Sequence, residues 1–247
     1  MIAWPFLVLQ AAAGLCAGSF VTTAALRAAR HEPYLGGRSH CDACGVTLGF
    51  AATAPVVAFV ARRGACSACG EAIDPTHLVG EVLGAALLTA PFVLAGPARG
   101  GLIAAMGLVL LAAAVFDLKT RRLPDRLTGT VAVLAALLAS THGLMSLAEG
   151  VAAAGVTAVL LLGLRFGYAR WRGRSGLGLG DVKLLCALAL WLGVATPWAL
   201  VVAALLGLIA VALRPPRGGL IAFGPFIALG ALSLGLLKEA TAWPLLP

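Results

Sequence analysis

Two pairs of cysteines, Cys41-Asp-Ala-Cys44-Gly and Cys66-Ser-Ala-Cys69-Gly, carry the strongest chemical signal in the chain. Each C-x-x-C-G turn presents two thiolates, Gly45 or Gly70 relieves the backbone behind them, and two such knuckles complete a tetrahedral zinc shell. Four cysteines close that shell and leave no position for a reacting water, so the expected zinc is structural. Disulfides are the competing use of the same residues, and a reducing compartment disfavours them. Cys16 and Cys186 lie in apolar runs without partner spacing and read as small packing residues. His77 reads as a polar residue at a helix start rather than as a further ligand.

The acids are few, 10 Asp and Glu in 247 residues, so those beside apolar runs need accounting for. An ionisable group at membrane depth is costly and usually functional. Asp125 follows Pro124 and precedes an apolar run with Thr128 three residues on, the setting of a helix N-cap. Asp181, after Gly178-Leu179-Gly180, could by itself also be a cap. Asp117 ends a helix, where the macrodipole disfavours a carboxylate, and it has no local structural purpose. Taken jointly, Asp117 and Asp181 suggest a pair sharing one proton, acting as base and acid on a water directed at a peptide carbonyl. The glycines at 176, 178 and 180 would let an extended substrate backbone approach Asp181.

The elements that must position these groups are membrane helices. The chain is 61% hydrophobic and 11% charged, with a mean hydropathy of +1.00, outside the range of a soluble domain. Uncharged runs reach the roughly 20 residues that a helix needs to cross a hydrocarbon core of about 30 Å. The first run lacks a basic n-region and a convincing cleavage site, and is expected to be a retained helix. The expected spans are 2–26, 80–97, 100–117, 127–142, 149–168, 182–193, 197–213 and 219–238, eight crossings in an all-α polytopic fold.

The net charge of +8 then has a topological meaning. Every one of the 18 Lys and Arg residues except Arg99 and Lys238 falls on one side, which is therefore the cytoplasm, with both termini outside. Aromatic interleaving is absent, and no nucleic-acid partner is expected. The uncharged stretch 184–213 requires a tight hairpin around residues 193–197 to keep Arg214 and Arg217 on the basic side. The expected domains are a first transmembrane helix (1–26), a small cytoplasmic zinc-binding domain (27–79), and a transmembrane domain carrying both aspartates (80–247).

These residues, in this order, resemble the prepilin peptidase family, the leader peptidases and N-methyltransferases of type IV pilus and type II secretion systems. The resemblance runs through Gly18-Ser19-Phe20, the paired knuckles, Glu81, Asp117 with Leu123-Pro124-Asp125, Gly178-Leu179-Gly180-Asp181-Val182-Lys183, and Phe223-Gly224-Pro225-Phe226. It implies an aspartic-type endopeptidase with Asp117 and Asp181 as its catalytic pair, a zinc-stabilised first loop, and eight spans in a bacterial inner membrane. It implies prepilin or pseudopilin substrates, cut after the glycine that ends a short basic leader, and a second activity that methylates the new amino terminus with S-adenosylmethionine. The chain departs from the family at Thr22, where Asn is frequent, and at Ala52-Thr53-Ala54-Pro55, where an Asp-Asn-x-Pro-like stretch is frequent. Both departures bear on the methyl transfer. The alternatives are a presenilin-like intramembrane protease, which shares the Gly-x-Gly-Asp theme but not the zinc loop, and a non-enzymatic zinc-stabilised membrane assembly factor.

Overall fold

The computed structural model describes residues 4–34, 36–173, 176–215 and 221–242, and these are helical apart from short connections and the knuckle loop. The expected topological charges Arg174 and Arg217 lie outside the described residues. Four helical runs are long and apolar enough to cross a membrane: Trp4–Ala29, Pro75–Thr120, Leu144–Arg172 and Leu179–Leu213. The chain forms two compact units, Met1–Ala90 and Pro91–Pro247.

In the first unit, α1 (Trp4–Ala29) packs against the start of α3 (Pro75–Thr120) through facing glycines. A Cβ on Gly18 would lie 2.2 Å from the Gly80 carbonyl oxygen, and one on Gly84 would lie 2.3 Å from that of Gly14. Only glycine permits this approach, which brings the two backbones into van der Waals contact over more than a helical turn. Thr22, fully buried, packs on Gly80. The start of α3 follows from its sequence: Asp74 Oδ1 accepts the Thr76 N–H at 2.9 Å, and Pro75 takes the first helical position, where its missing donor costs nothing. Between α1 and α3 run the knuckle loop and the short α2 (Val57–Ala61).

The second unit begins with a reversal. A straight 46-residue helix would be about 69 Å long, but Gly96 has φ 73° and ψ 176° inside the run, followed by Pro97. A Cβ on Gly100 would sit 2.7 Å from the Phe92 Cα, whereas eight residues along a straight helix span about 12 Å. The run is therefore two arms, turning where the sequence places the boundary between the second and third spans.

Named contacts fix the directions of α4 (Asp125–Ser140), α5 (Leu144–Arg172), α6 (Leu179–Leu192), α7 (Thr196–Leu213) and α8 (Gly224–Ala242). Gly150 of α5 meets Leu190 of α6, while Arg165 donates to the Leu177 carbonyl just before α6, so these two helices are antiparallel. Gly207 of α7 faces Phe223 and Phe226, and Gly230 of α8 faces Ala199, so α7 and α8 are antiparallel as well. The hairpin expected around residues 193–197 is present: Gly193 (φ 58°) ends α6 and a 3-10 turn leads into α7. Leu110, Leu138, Leu184, Leu188, Trp191 and Ile227 fill the core of the unit. Val159, Leu160 and Leu208 point outward and are more than 60% exposed, the surface expected of helices solvated by lipid.

This unit has two polar ends. One gathers Asp117, Asp181, Asp125 and Lys183, with Gly224 opening α8. The other gathers Arg99, His142, Trp191, Lys238 and Glu239. Residues 99 and 117 are separated along their helical arm by about 27 Å, close to a hydrocarbon thickness. Arg99 and Lys238, the two cations that the sequence reading sets apart from the others, meet at the same end.

Candidate active site and metal centre

Asp117 lies in the last turn of α3 and is 4% exposed. Its Oδ2 accepts the N–H of Gly224 at 2.9 Å, across 107 residues of sequence. Asp181 is the third residue of α6, in the first turn after the extended Gly178. Leu123 is the wedge between the two segments: its Cβ would lie 2.9 Å from a Cβ on Gly180, and its Cδ2 3.3 Å from one on Gly224. Asp181 is close enough to Asp117 for their charges to interact. The fold thus brings together two carboxylates from segments 64 positions apart, both crowded by glycines that admit no side chain: a Cβ at Gly178 would stand 2.8 Å from Asp181 Oδ2, and one at Gly224 2.9 Å from Asp117 Oδ2.

Asp125 departs from its expected role as a helix cap. The cap position of α4 is Pro124, whose fixed φ of −63° and extended ψ of 134° already set the helix entry, and Asp125 is the first helical residue. Its carboxylate instead accepts from Lys183 Nζ at 2.7 Å, while Thr128 Oγ1 donates to the Asp125 carbonyl. An acid in the first turn still meets the positive end of the helix dipole.

In the first unit, the four cysteines Cys41, Cys44, Cys66 and Cys69 converge, with all their Sγ atoms within 4.8 Å of one another. Thiolates 2.3 Å from a tetrahedral ion stand about 3.8 Å apart, and Cys41 Sγ and Cys69 Sγ are 3.9 Å apart. The donor set fits a metal ion. The knuckles are built alike: the Gly45 N–H donates to the Cys41 carbonyl and that of Gly70 to Cys66, both at 2.9 Å, and both glycines have positive φ (71° and 74°). Backbone N–H groups of Ala68 and Cys69 pull the Cys66 thiol down to about 6, while burial and the neighbouring thiols push Cys69 up to about 12, as expected of sulfurs crowded together before a cation lies between them. His77 is not among the converging ligands; its N–H donates to the Asp74 carbonyl at 3.1 Å in the first turn of α3. Cys186 is half-buried, but Cys16 is exposed on α1 and is not the packed residue expected.

The basic residues after α1 do more than set topology. Arg27 donates to the carbonyls of Gly36 and Arg38, and Arg30 makes a bidentate pair with Asp42 at 2.7 Å in both arms. The Arg30 guanidinium holds the Asp42 carboxyl below the usual carboxylate range. These bonds strap the first knuckle to the end of α1.

Against the knuckles, the first unit carries a half-open pocket of about 450 Å³. Its walls include the acids Glu81, Asp74 and Glu32 and the arginines Arg27, Arg30 and Arg62, with Leu26, Phe59 and Leu78 as apolar faces, and also Ala52-Thr53-Ala54 from the stretch between the knuckles. Glu81 is 8% exposed; Oε1 accepts from Ser19 Oγ at 2.8 Å and Oε2 from the Val56 N–H at 2.7 Å. The sequence marks Glu81 by resemblance alone. Its partners come from α1 and from Val56, a non-glycine residue at φ 58°, a conformation that spacing does not reveal.

Comparison with known proteins agrees with this arrangement. Residues 12–94 match the model of the bacterial peptidase A24 N-terminal domain, and residues 104–212 match that of the type IV leader peptidase family. A prepilin leader peptidase/N-methyltransferase of Burkholderia pseudomallei is 33% identical over 202 residues, covering 78% of this chain and 65% of the relative. Proteins of the same name from Dichelobacter nodosus (33% identical; 77% of this chain, 68% of the relative) and Aeromonas hydrophila (32% identical; 83% and 74%) are similar. The chain therefore spans about two thirds to three quarters of the length of these relatives. No solved structure gives a significant match. With the knuckles falling in the first matched segment and both aspartates in the second, the chain belongs to the type IV leader peptidase family.

Proposed function

We propose that the chain is an aspartic-type endopeptidase that removes the leader from prepilins or pseudopilins, with Asp117 and Asp181 as its catalytic pair. The observation that supports this reading is the convergence of two carboxylates at one polar end of a lipid-solvated bundle, each beside a glycine. One carboxylate takes a proton from water as the oxygen attacks the scissile carbonyl carbon, and the other, protonated, gives its proton to the carbonyl oxygen. Collapse of the tetrahedral intermediate breaks the C–N bond: the carboxyl group that gained the proton delivers it to the leaving amine, and a hydroxyl of the intermediate returns its proton to the other carboxylate as the new acid forms.

The bundle reads as eight crossings: α1, the two arms of α3, and α4 to α8, where α4 and α8, 16 and 19 residues long, join the four longer runs. In this reading the dyad and the knuckle loop face the cytoplasm across a bacterial inner membrane, on the side that collects the basic residues. The four cysteines hold a structural zinc ion, whose closed shell ties together a loop too small to fold on apolar burial alone.

A second activity, methylation of the new amino terminus, is supported by the cavity of the first unit. Its volume is in the range of small-molecule sites, and Glu81, Asp74 and Glu32 together with Arg27, Arg30 and Arg62 give its walls both signs of charge, which suits a zwitterionic cofactor such as S-adenosylmethionine, with Phe59 and Leu78 to cover an aromatic or aliphatic portion. That cofactor, when bound, supplies an electrophilic methyl group.

The test is co-expression with a prepilin and an intact-mass spectrum of the product. Loss of the leader plus about 14 Da, a methyl replacing hydrogen, establishes both activities, and leader loss alone establishes only the peptidase. Asp117→Asn and Asp181→Asn should each lower cleavage by about 10³-fold; full processing by either variant, expressed at the normal level, overturns the dyad.

A further inference from the structure

Each aspartate of the pair faces the start of a helix, but by different means. Asp181 stands in the first turn of its own helix, α6. Asp117 stands in the last turn of α3, where the dipole of its own helix opposes a negative charge. The start of α8 makes up the difference: Gly224 is its first residue, and the Gly224 N–H donates to Asp117 Oδ2 at 2.9 Å. Glycine at this point lets the carboxylate sit on the amide, because a Cβ would come 2.9 Å from Oδ2, 3.3 Å from the Asp117 Cγ and 3.3 Å from Leu123 Cδ2 and would push the carboxylate aside. Pro225 and Phe226 follow, and Phe226 N–H and Ile227 N–H both donate to the Phe223 carbonyl at 3.1 Å, which fixes the helix start that aims the amide.

We propose that Gly224 is a positioning residue of the peptidase, its N–H occupying Asp117 Oδ2 so that Oδ1 is the oxygen presented to the attacking water. The inference rests on Asp117 and Asp181 being the catalytic pair. An amide donor stabilises the ionised carboxylate and fixes which of its oxygens is free. α8, which supplies no titratable group to this end of the bundle among the described residues, thus acts on the pair through a backbone amide that orients Asp117.

The experiment is steady-state cleavage of a synthetic prepilin by the purified full chain in detergent, across pH, for the wild type and Gly224→Ala. The new methyl pushes the carboxylate off the amide. The expected result is a fall in kcat of about 10²-fold with KM within about twofold, and an acidic limb of the kcat profile displaced to higher pH, because the ionised carboxylate has lost its donor. Wild-type kcat with a wild-type profile overturns the proposal, and so does a slow variant whose profile keeps its position, since crowding alone would produce that. Should Gly224→Ala fail to fold, the double variant Leu123→Ala/Gly224→Ala relieves the leucine contact while leaving the carboxylate displaced. It should remain slow with the shifted limb; full recovery of rate would assign the effect to packing and overturn the proposal. Asp117→Asn separates the two readings. If it is inactive while Gly224→Ala is normal, only the positioning role falls; if it is active, the dyad itself falls.

Discussion

Trp191 donates its indole N–H to Glu239 at 3.0 Å, and the acceptor is a fully buried carboxylate at the end of the bundle opposite Asp117. Arg99 forms an ion pair with the other oxygen of Glu239, and Lys238 Nζ donates to the Trp191 carbonyl at 2.8 Å. The indole lies over Gly235, where a Cβ would stand 2.0 Å from the ring. The second unit is therefore closed at this end by a polar cluster inside an apolar bundle, and removing one partner leaves a charge buried. Glu239→Ala should destabilise the protein by about 3–5 kcal/mol, whereas Arg99→Met combined with Glu239→Leu should recover most of that loss. Denaturant titration in mixed micelles, followed by tryptophan fluorescence, measures both.

Protonation of His142 acts on the same cluster. Its Nε2 is 3.8 Å from Glu239 Oε1, but burial first, and the Arg99 charge second, push the imidazole below its ordinary range. A lowered folded-state pKa means that the unfolded chain takes up the proton more readily. The contribution is fully present above about 6.5, the ordinary imidazole value, and is lost as pH falls through the depressed folded value. Thermal midpoints should therefore decline between pH 8 and pH 5 in the wild type and decline less in His142→Gln.

The facing glycines of α1 and α3 predict a sharp contrast among alanine substitutions. At Gly18 and Gly84 a methyl meets backbone atoms, which cannot move aside as a side chain could, so each should cost at least about 1–3 kcal/mol. At Gly163 a Cβ meets nothing within 4 Å, and alanine should be neutral or slightly stabilising. Melting temperatures of the three variants in one detergent decide this.

Metal removal should act on the knuckle loop. Purified protein should carry close to one zinc per chain by mass spectrometry, and Cys41→Ser should lose most of it. A chelator should speed tryptic cleavage after Arg62 and Arg63, because the loop then lacks the tie between its halves. Protein without metal whose loop resists trypsin would refute the structural role.

The sequence announced what depends on local spacing. The knuckles are readable because each is a five-residue turn with its own glycine, and the reversals near residues 97 and 193 are readable because glycine and proline interrupt apolar runs whose length requires a turn. Asp117 and Asp181 could be singled out because acids are rare in such a chain. What was not readable depends on partners distant in sequence. Asp125 satisfies the residue pattern of a cap, yet its partner is Lys183, 58 positions on, and Gly224 reaches back 107 positions to Asp117. Glu239 looks like an interfacial charge at the end of an apolar run until Arg99 and Trp191 are found around it.

That burial also bears on biosynthesis. Arg99 emerges from the ribosome 140 residues before Glu239, so in the eight-crossing reading the arm of α3 that carries it enters the bilayer with an unneutralised cation at one end. Until α8 is delivered, Arg99 must stay hydrated at the interface or be shielded by the insertion machinery. Docking of α8 then coincides with quenching of that charge, and an assembly intermediate in which α8 is not yet packed is the form that quality-control proteases would recognise.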